Sequence, residues 1–320
     1  MTATTVLPND DEPARAPRRA KQRGRPGGRS WAGYLFVLPT VVLFLAFVAW
    51  PMVRAVYYSF TIYSGYGTPR FAGLDNFARL GQDPVFRDAL IATLVFTAAT
   101  TILQTVFPMA VAVLVATLWR RSGVIVRTIL FLPSVISFVV TAILWQLIYD
   151  PNLGVLNRML TSLGLSGLTE QWLGNPATVL PAIIVVSLWQ SLGLYMLIFF
   201  AGLQGIDPTL YEAARIDGAN AWQRLVRITV PNLRTITGLV ITLNVINGMK
   251  TFDLIFVMTQ GGPHHASDVL GTYLYSLAFG TLGGSVPQIG YGTAVSIVVV
   301  ALCAIAVLVQ FAVNRRNADA

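Results

Sequence analysis

The chain has 320 residues, of which 55% are hydrophobic and 11% are charged, and its mean hydropathy is +0.65. About a quarter of the residues in a soluble domain are charged, so this composition excludes an ordinary soluble protein and indicates a bilayer as solvent. The formal net charge of +8 would suit nucleic acid, but the basic residues are scattered between apolar runs, which is typical of membrane topology signals. We therefore expect a lipid bilayer, and no nucleic acid, as their partner.

The N-terminal tail, residues 1–30, is rich in Pro, Gly and Arg and is predicted to be disordered. The apolar run after it lacks a small-residue cleavage site behind a short apolar core, so we do not interpret it as a signal peptide. That run is expected to remain as a membrane anchor.

Six apolar runs follow one another, each with at least the roughly 20 residues that cross ~30 Å of hydrocarbon. They lie at about residues 31–53, 86–118, 128–149, 178–203, 235–258 and 290–313. The second is longer than one crossing needs, so we expect it to tilt or to extend beyond the bilayer. The predicted fold is all-α: a polytopic membrane protein with one bundle of six transmembrane helices over residues 31–314, and a C-terminal tail at 315–320.

The Lys and Arg residues between the runs predict the orientation. Sixteen of them lie in the N-terminal tail, the second and fourth loops and the C-terminal tail, whereas five lie in the first, third and fifth loops. Both termini and the fourth loop are therefore predicted to be cytoplasmic, in a multi-pass protein of the inner or plasma membrane.

The fourth loop, residues 207–234, contains the longest polar interruption in the second half of the chain, YEAARIDGANAWQRLVRITVP. Asp207 followed by Pro208 predicts a helix start, because Asp accepts a bond at the N-cap and Pro needs no partner for its missing N–H. This helix should run to about Asp217. Gly218 is free to adopt positive φ and should turn the chain there.

A second short helix is predicted after that turn, capped by Asn220 and extending to about Ile228. Pro231 is expected to mark the boundary before the fifth span, because Pro clashes with a continuous helix. The product is a compact helix-turn-helix on the cytoplasmic face. From physical chemistry alone, a docking role and a plain structural loop both remain open.

The loop also resembles a known pattern. Its residues match the EAA loop of ATP-binding-cassette importer permeases at every position except Val230, which replaces a Leu. The matching residues are Glu212, Ala213, Ala214, Gly218, Ile228 and Pro231. IDGA at 216–219 and FDLIFVMTQGGP at 252–263 further resemble the MalF-like branch of that family, which carries carbohydrates.

The resemblance implies that this loop is a coupling helix that docks in a cleft of an ATPase subunit. Glu212 would face basic groups of the ATPase, Ala213 and Ala214 would allow close approach, and Gly218 would set the angle. It also implies two copies of the ATP-binding subunit, a second homologous permease subunit and an extracytoplasmic solute-binding protein. The chain itself would be a sugar-transporting permease without a cofactor and without an enzymatic activity.

The lysines and the acidic residues of the chain indicate how transport would be driven. Neither Lys21 nor Lys250, the two lysines, belongs to a phosphate-binding G-x-x-x-x-G-K-[ST] loop. A secondary transporter would need acidic groups inside the spans, whereas Asp88, Asp150 and Asp253 are predicted near span ends. Hydrolysis by a separate subunit is therefore expected. A secondary transporter and a structural or receptor-type membrane protein remain the rival classes.

Polar stripes on two spans predict a substrate path, because an unpaired polar group in hydrocarbon costs several kcal/mol by order of magnitude. The alternative is that they form hydrogen bonds between helices and hold the bundle together. The MalF-like resemblance locates the sugar site on these same two spans. The matching residues are Ser187, Gln190, Ser191, Asn244, Gly248 and Thr251. The stripe in the fourth span is extended by Leu194 and Tyr195, and the stripe in the fifth span also contains Asn247.

The cargo and the remaining charged groups allow alternatives. Maltose itself is not expected, and glycerol 3-phosphate or a polyol is the alternative to a sugar, although the proposed path has few cations.

Lys250 and Asp253 are three residues apart and are expected to pair with each other. His264 and His265 stand side by side in a Gly-Pro turn, so we expect an exposed loop, not a metal site, that contacts the solute-binding protein. LNRMLTSLGL at 156–165 predicts a short interfacial helix.

Overall fold

The computed structural model of the protein describes residues 31–117, 120–280 and 286–318. The predicted tail at 1–30 lies outside these residues. The described residues divide into two units between Pro51 and Met52. The first contains helix α1 (Trp31–Phe44), a π-helical segment (Leu45–Ala49) and the first two residues of α2 (Trp50–Ser59).

The second unit is helical apart from a two-stranded antiparallel ribbon, β1 (Thr61–Ile62) and β2 (Arg70–Phe71), in which Thr61 pairs with Phe71. Its further helices are α3 (Asp75–Leu80), α4 (Pro84–Ala116), α5 (Arg120–Val135), α6 (Phe138–Tyr149), α7 (Val155–Ser162), α8 (Val179–Gln204), α9 (Pro208–Ile216), α10 (Ala221–Arg224), α11 (Val230–Asn232), α12 (Arg234–Met249), α13 (Asp253–Thr259), α14 (Leu270–Phe279) and α15 (Ile289–Ala318). A 3-10 turn (Ser166–Leu168) and a π-helical segment (Leu225–Thr229) complete it.

The all-α class is confirmed, and the spans are close to the predicted ones. Four segments are long and apolar enough to cross a membrane: Tyr34–Ser59, Pro84–Ala116, Val179–Gln204 and Ile289–Ala312. Two further pairs of helices qualify together, α5 with α6 and α12 with α13. If each pair is one span, the described part of the chain has six spans, as the hydropathy pattern predicts. Helix α7 confirms the short helix predicted at 156–165.

The third and fifth spans are broken, which the hydropathy pattern did not predict. Helices α5 and α6 meet at 99°, and α12 and α13 meet at 44°. In the first break, Pro133 removes a donor from the helical ladder, and the Ser137 side chain then caps α6 by accepting from the N–H of Val140 at 3.3 Å. Both breaks matter because they open onto the same cavity.

The core of the second unit centres on α4 and α8, with α5, α12 and α14 packed around them. Two glycines permit close approaches between these helices. A Cβ on Gly193 would lie 2.1 Å from the carbonyl oxygen of Leu130, and one on Gly248 would lie 2.8 Å from Oγ1 of Thr97. Helices α8 and α12 therefore touch their neighbours through backbone, as small residues allow in membrane bundles.

Candidate functional site

A cavity of about 480 Å³ lies between α4, α8, α12 and the two helix breaks. All six residues predicted for the substrate path line it: Ser187, Gln190, Ser191, Asn244, Gly248 and Thr251. Four aromatic side chains, Phe96, Phe138, Tyr195 and Phe252, line it as well. The two polar stripes thus face one space, and apolar rings lie beside them.

The α8 wall of the cavity is held by hydrogen bonds to other helices. Nε2 of Gln104 donates to Oγ of Ser187 at 2.8 Å, and Nε2 of Gln190 donates to the carbonyl oxygen of Ile136 at 2.8 Å. The second bond satisfies a carbonyl at the α5–α6 break. Ser191 donates to the carbonyl oxygen of Ser187 at 2.7 Å. This wall therefore serves the bundle as well as the cavity, and Oε1 of Gln190 keeps no partner among the described residues.

The α12 wall differs because its central amide is unpaired. Asn244 is 1% exposed, and neither its Nδ2 nor its Oδ1 has a hydrogen-bond partner in the described part of the chain. Buried amides are almost always bonded, so this one is a site of unsatisfied polarity. Gly248 lies one turn further along and fits against Thr97, and Thr251 lies in the break.

A third polar wall, on α4, was missed by the sequence reasoning. Thr100 and Gln104 line the cavity and are buried. With Thr97 and Thr101 they follow the spacing i, i+3, i+4 and i+7, which is one face of a helix. The rule that identified the stripes on α8 and α12 would have found this face in the second apolar run.

The expected pairing of Lys250 with Asp253 is wrong. The spacing of three residues brings side chains together only in a continuous helix, and α12 ends at Met249 while α13 begins at Asp253. Both residues line the cavity instead. Asp253 is the first residue of α13, within the last seven residues of the broken span, which agrees with its predicted place near the end of that span.

The coupling segment, which we define as residues 207–232, begins as predicted. The side chain of Asp207 accepts from the N–H of Thr209 at 2.9 Å, and this bond lowers the pKa of the carboxyl. Helix α9 ends in a Schellman motif. The N–H of Gly218 donates to the carbonyl oxygen of Arg215 at 3.1 Å, and the N–H of Ala219 donates to the carbonyl oxygen of Ala214 at 2.8 Å. Gly218 has φ +77°, so its predicted role in the turn is confirmed.

The second helix of the coupling segment starts with a capping box. Asn220 and Gln223 exchange side-chain and backbone bonds of 2.8 Å each. The predicted boundary at Pro231 is wrong, since the helix continues through a π-turn and α11 to Asn232. In that π-turn the N–H of Val230 donates to Leu225, five residues back, and this wider turn accommodates a proline next in sequence. The break before the fifth span is at Leu233.

The sequence matches the family of binding-protein-dependent transport system inner membrane components over residues 18–319. The chain belongs to this family. It is 37% identical over 268 residues to the probable ABC transporter permease protein YurN of Bacillus subtilis, covering 83% of this chain and 90% of YurN. It is 32% identical over 288 residues to the lactose transport system permease protein LacF of Rhizobium radiobacter, covering 89% of this chain and 94% of LacF.

The structure is also similar to a chain in the crystal structure of a bacterial alginate ABC transporter in complex with an alginate pentasaccharide-bound periplasmic protein. The TM-score is 0.78 and the identity 27%, over 90% of this chain and 95% of that chain. The chain is therefore a multi-pass permease, and the cavity and the coupling segment can be interpreted in that context.

The EAA residues of this permease divide into exposed and packed ones. Glu212 and Ala213 are exposed, and Glu212 has no hydrogen bond or ion pair within the described residues. Ile228 packs in an apolar cluster with Tyr211, whose hydroxyl lies 3.0 Å from that of Thr229. The segment is thus fixed to the bundle on one side and free on the other.

Two exposed apolar side chains on the free side of the coupling segment were not predicted. Ile216 is 86% exposed and Trp222 is 70% exposed, one on each side of the Gly218 turn. Single exposed apolar residues are common on surfaces, but here they interrupt a polar segment beside Glu212. The sequence carries this signal as IDGANAW, in which an apolar residue stands on each side of the turn.

His264 and His265 are exposed as predicted, but His265 has a carboxylate partner that was not predicted. Nδ1 of His265 lies 2.9 Å from a carboxylate oxygen of Asp268, and Thr272 donates to the same carboxylate. Burial raises the pKa of Asp268, although these two hydrogen bonds act in the opposite direction. Among the described residues, no group of three His, Cys, Asp or Glu residues is arranged to hold a metal ion.

Proposed function

We propose that this permease is the membrane subunit of an ATP-driven sugar importer, and that the 480 Å³ cavity is its sugar path. The observation that carries the proposal is the composition of the lining, in which hydroxyl and amide side chains from three helices surround a space with aromatic rings. Sugars are bound by such combinations, because hydroxyl groups exchange hydrogen bonds with amides while their C–H faces pack on rings. The relatives named for lactose and alginate support a carbohydrate cargo.

The individual roles follow from the geometry. Asn244, with two unpaired amide atoms, is expected to gain most from sugar hydroxyls or from the movement that admits them. Gln190 and Ser187 would contact the cargo while keeping their bonds to Ile136 and Gln104. Ser191 and Thr251 would extend the polar surface along the path, and Gly248 would keep it open by its lack of a side chain.

The coupling segment would receive mechanical work from two ATP-binding subunits. Glu212 has no partner within the described residues and stands exposed beside Ala213, so a basic cleft on an ATPase could take the carboxylate while the small side chain permits close approach. Ala214, Gly218, Ile228 and Pro231 would hold this surface at a fixed angle to the bundle. Closure of the ATPases on ATP would then move the spans and turn the cavity outward, and hydrolysis would return it inward.

The remaining partners are a second homologous permease subunit and an extracytoplasmic solute-binding protein. The family description includes the binding protein, and the similar alginate transporter was solved with a periplasmic protein. The concentration of Lys and Arg on one side of the spans supports cytoplasmic termini. In this arrangement the chain transports and a partner hydrolyses ATP. Glycerol 3-phosphate or a polyol is the alternative cargo.

A second candidate, secondary transport, is favoured by one observation: the carboxylate of Asp253 lies inside a broken span and lines the cavity. Uptake by proteoliposomes that contain the full complex distinguishes ATP-driven import from secondary transport. Sugar import should require ATP on the cytoplasmic side and the binding protein on the other, and should persist with a protonophore. Import that stops with the protonophore while ATP remains would favour secondary transport, and a sugar panel without import would overturn the cargo class.

A further inference from the structure

The break between α12 and α13 brings two opposite charges to one wall of the cavity. Lys250 follows the last residue of α12 and Asp253 is the first residue of α13, and both side chains are exposed and line the cavity. They do not form an ion pair with each other. Each charge is therefore available to a molecule in the cavity.

The other described residues that line the cavity carry no formal charge at neutral pH. They are amide, hydroxyl, aromatic and aliphatic side chains. The lining thus has one cation and one anion, and its net charge is zero. A cavity selective for anions would present a surplus of Lys or Arg, because the field of an excess charge is what attracts and holds an anionic ligand.

We propose that Lys250 and Asp253 form a bipolar recognition site that selects neutral saccharides over sugars bearing a carboxylate or a phosphate. The inference rests on the proposed sugar path and specifies its substrate class. A neutral sugar has hydroxyl groups that accept from an ammonium group and donate to a carboxylate, so one molecule satisfies both side chains. An anionic sugar can pair with Lys250 but is repelled by Asp253 three residues away.

The test uses the full complex in lipid nanodiscs without the binding protein, so that the binding protein does not contribute to the selection. Binding is measured by saturation-transfer NMR for pairs of disaccharides with the same linkage, for example cellobiose and cellobiouronic acid. For the pairs that bind, the neutral member should bind at least about tenfold tighter. Asp253→Asn should reduce this ratio by tightening the binding of the uronic acid, and Lys250→Gln should increase it by weakening that binding.

Charge-preserving variants serve as controls. Lys250→Arg and Asp253→Glu should keep the ratio close to that of the wild type, and so should Asp88→Asn, which changes an exposed carboxylate that pairs with Arg87 outside the cavity. If Asp253→Asn does not fold, Lys250→Gln still tests the inference, because it should increase the ratio of neutral to uronic-acid binding.

Two results would overturn the inference while sugar transport stands: uronic acids that bind as tightly as their neutral counterparts, or a ratio that neither neutralising substitution changes. A complete absence of disaccharide binding would overturn the sugar path together with it.

Discussion

The coupling segment and the cavity are held together in opposite ways. In the coupling segment, the bonds that form the helix caps and the turn join residues two to five positions apart, such as Asp207 with Thr209 and Ala219 with Ala214. In the cavity, the bonds of the two glutamine side chains cross between separate parts of the bundle, from Gln104 to Ser187 and from Gln190 to Ile136. A change in the first region is therefore expected to alter docking and leave the bundle intact, whereas a change in the second alters fold and binding together.

Two glycines give the largest expected contrast between these regions. Gly193→Ala would put a Cβ 2.1 Å from the carbonyl oxygen of Leu130, so α5 and α8 must separate, at a cost of about 3 kcal/mol or more. Gly218→Ala meets nothing within 4 Å and costs only the left-handed backbone strain, roughly 1–2 kcal/mol. The thermal unfolding midpoint of the purified complex should fall much further for Gly193→Ala.

Gly67→Ala is the matched control for the left-handed backbone strain alone. Gly67 has φ +74° and also meets nothing within 4 Å, but it lies far from the coupling segment in sequence. Gly67→Ala should lower the unfolding midpoint as much as Gly218→Ala does and should leave ATP-driven uptake unchanged. Gly218→Ala, in contrast, should reduce uptake. An equal loss of stability for Gly193→Ala and Gly218→Ala would contradict the contrast.

Two amides within the cavity should respond differently to removal. Gln190→Leu leaves the carbonyl of Ile136 without its donor and should destabilise the complex by about 1–3 kcal/mol. Asn244→Leu removes an amide without partners, so stability should stay the same or rise by up to about 1 kcal/mol. Both should reduce sugar uptake. A strong destabilisation by Asn244→Leu would show that Asn244 serves helix packing instead of the cargo.

The smallest effect is expected at the cap of the second coupling helix. Asn220→Ala removes the capping box with Gln223 and should cost about 1 kcal/mol, locally and in an exposed helix. Hydrogen exchange at residues 221–224 should speed up while the amides of α8 keep their protection. Faster exchange in α8 would mean that the two regions are not separate.

The coupling segment could be predicted almost completely because its signals are local. Asp207 with Pro208, Gly218 and Asn220 each specify a cap or a turn by their own chemistry. The error at Pro231 arose because a π-turn accommodates the proline, and no residue type announces a π-turn. It was also predictable that the six path residues would line one cavity, since polar side chains in an apolar run have to face something other than lipid.

The helix breaks could not be predicted from hydropathy, because an apolar run has the same mean value whether the helix is straight or bent. Pro133 and Ser137 were signals for the first break, but the break persists through a long-range bond from Gln190 to Ile136. The second break separates Lys250 from Asp253 without a proline or glycine between them. Tertiary packing determines both helix breaks. The second break places the charges of Lys250 and Asp253 at the cavity, so their position could not be predicted either.

The most direct test of the account compares charge reversal at two exposed glutamates in the full complex. Glu212→Arg should reduce ATP-driven sugar uptake at least about 30-fold and weaken co-purification of the ATPase, with an unchanged unfolding midpoint of the permease. Glu170→Arg, an exposed carboxylate in the third loop, should leave all three unchanged. Normal uptake and normal ATPase co-purification in Glu212→Arg would contradict the claim that this segment couples an ATPase to the cavity.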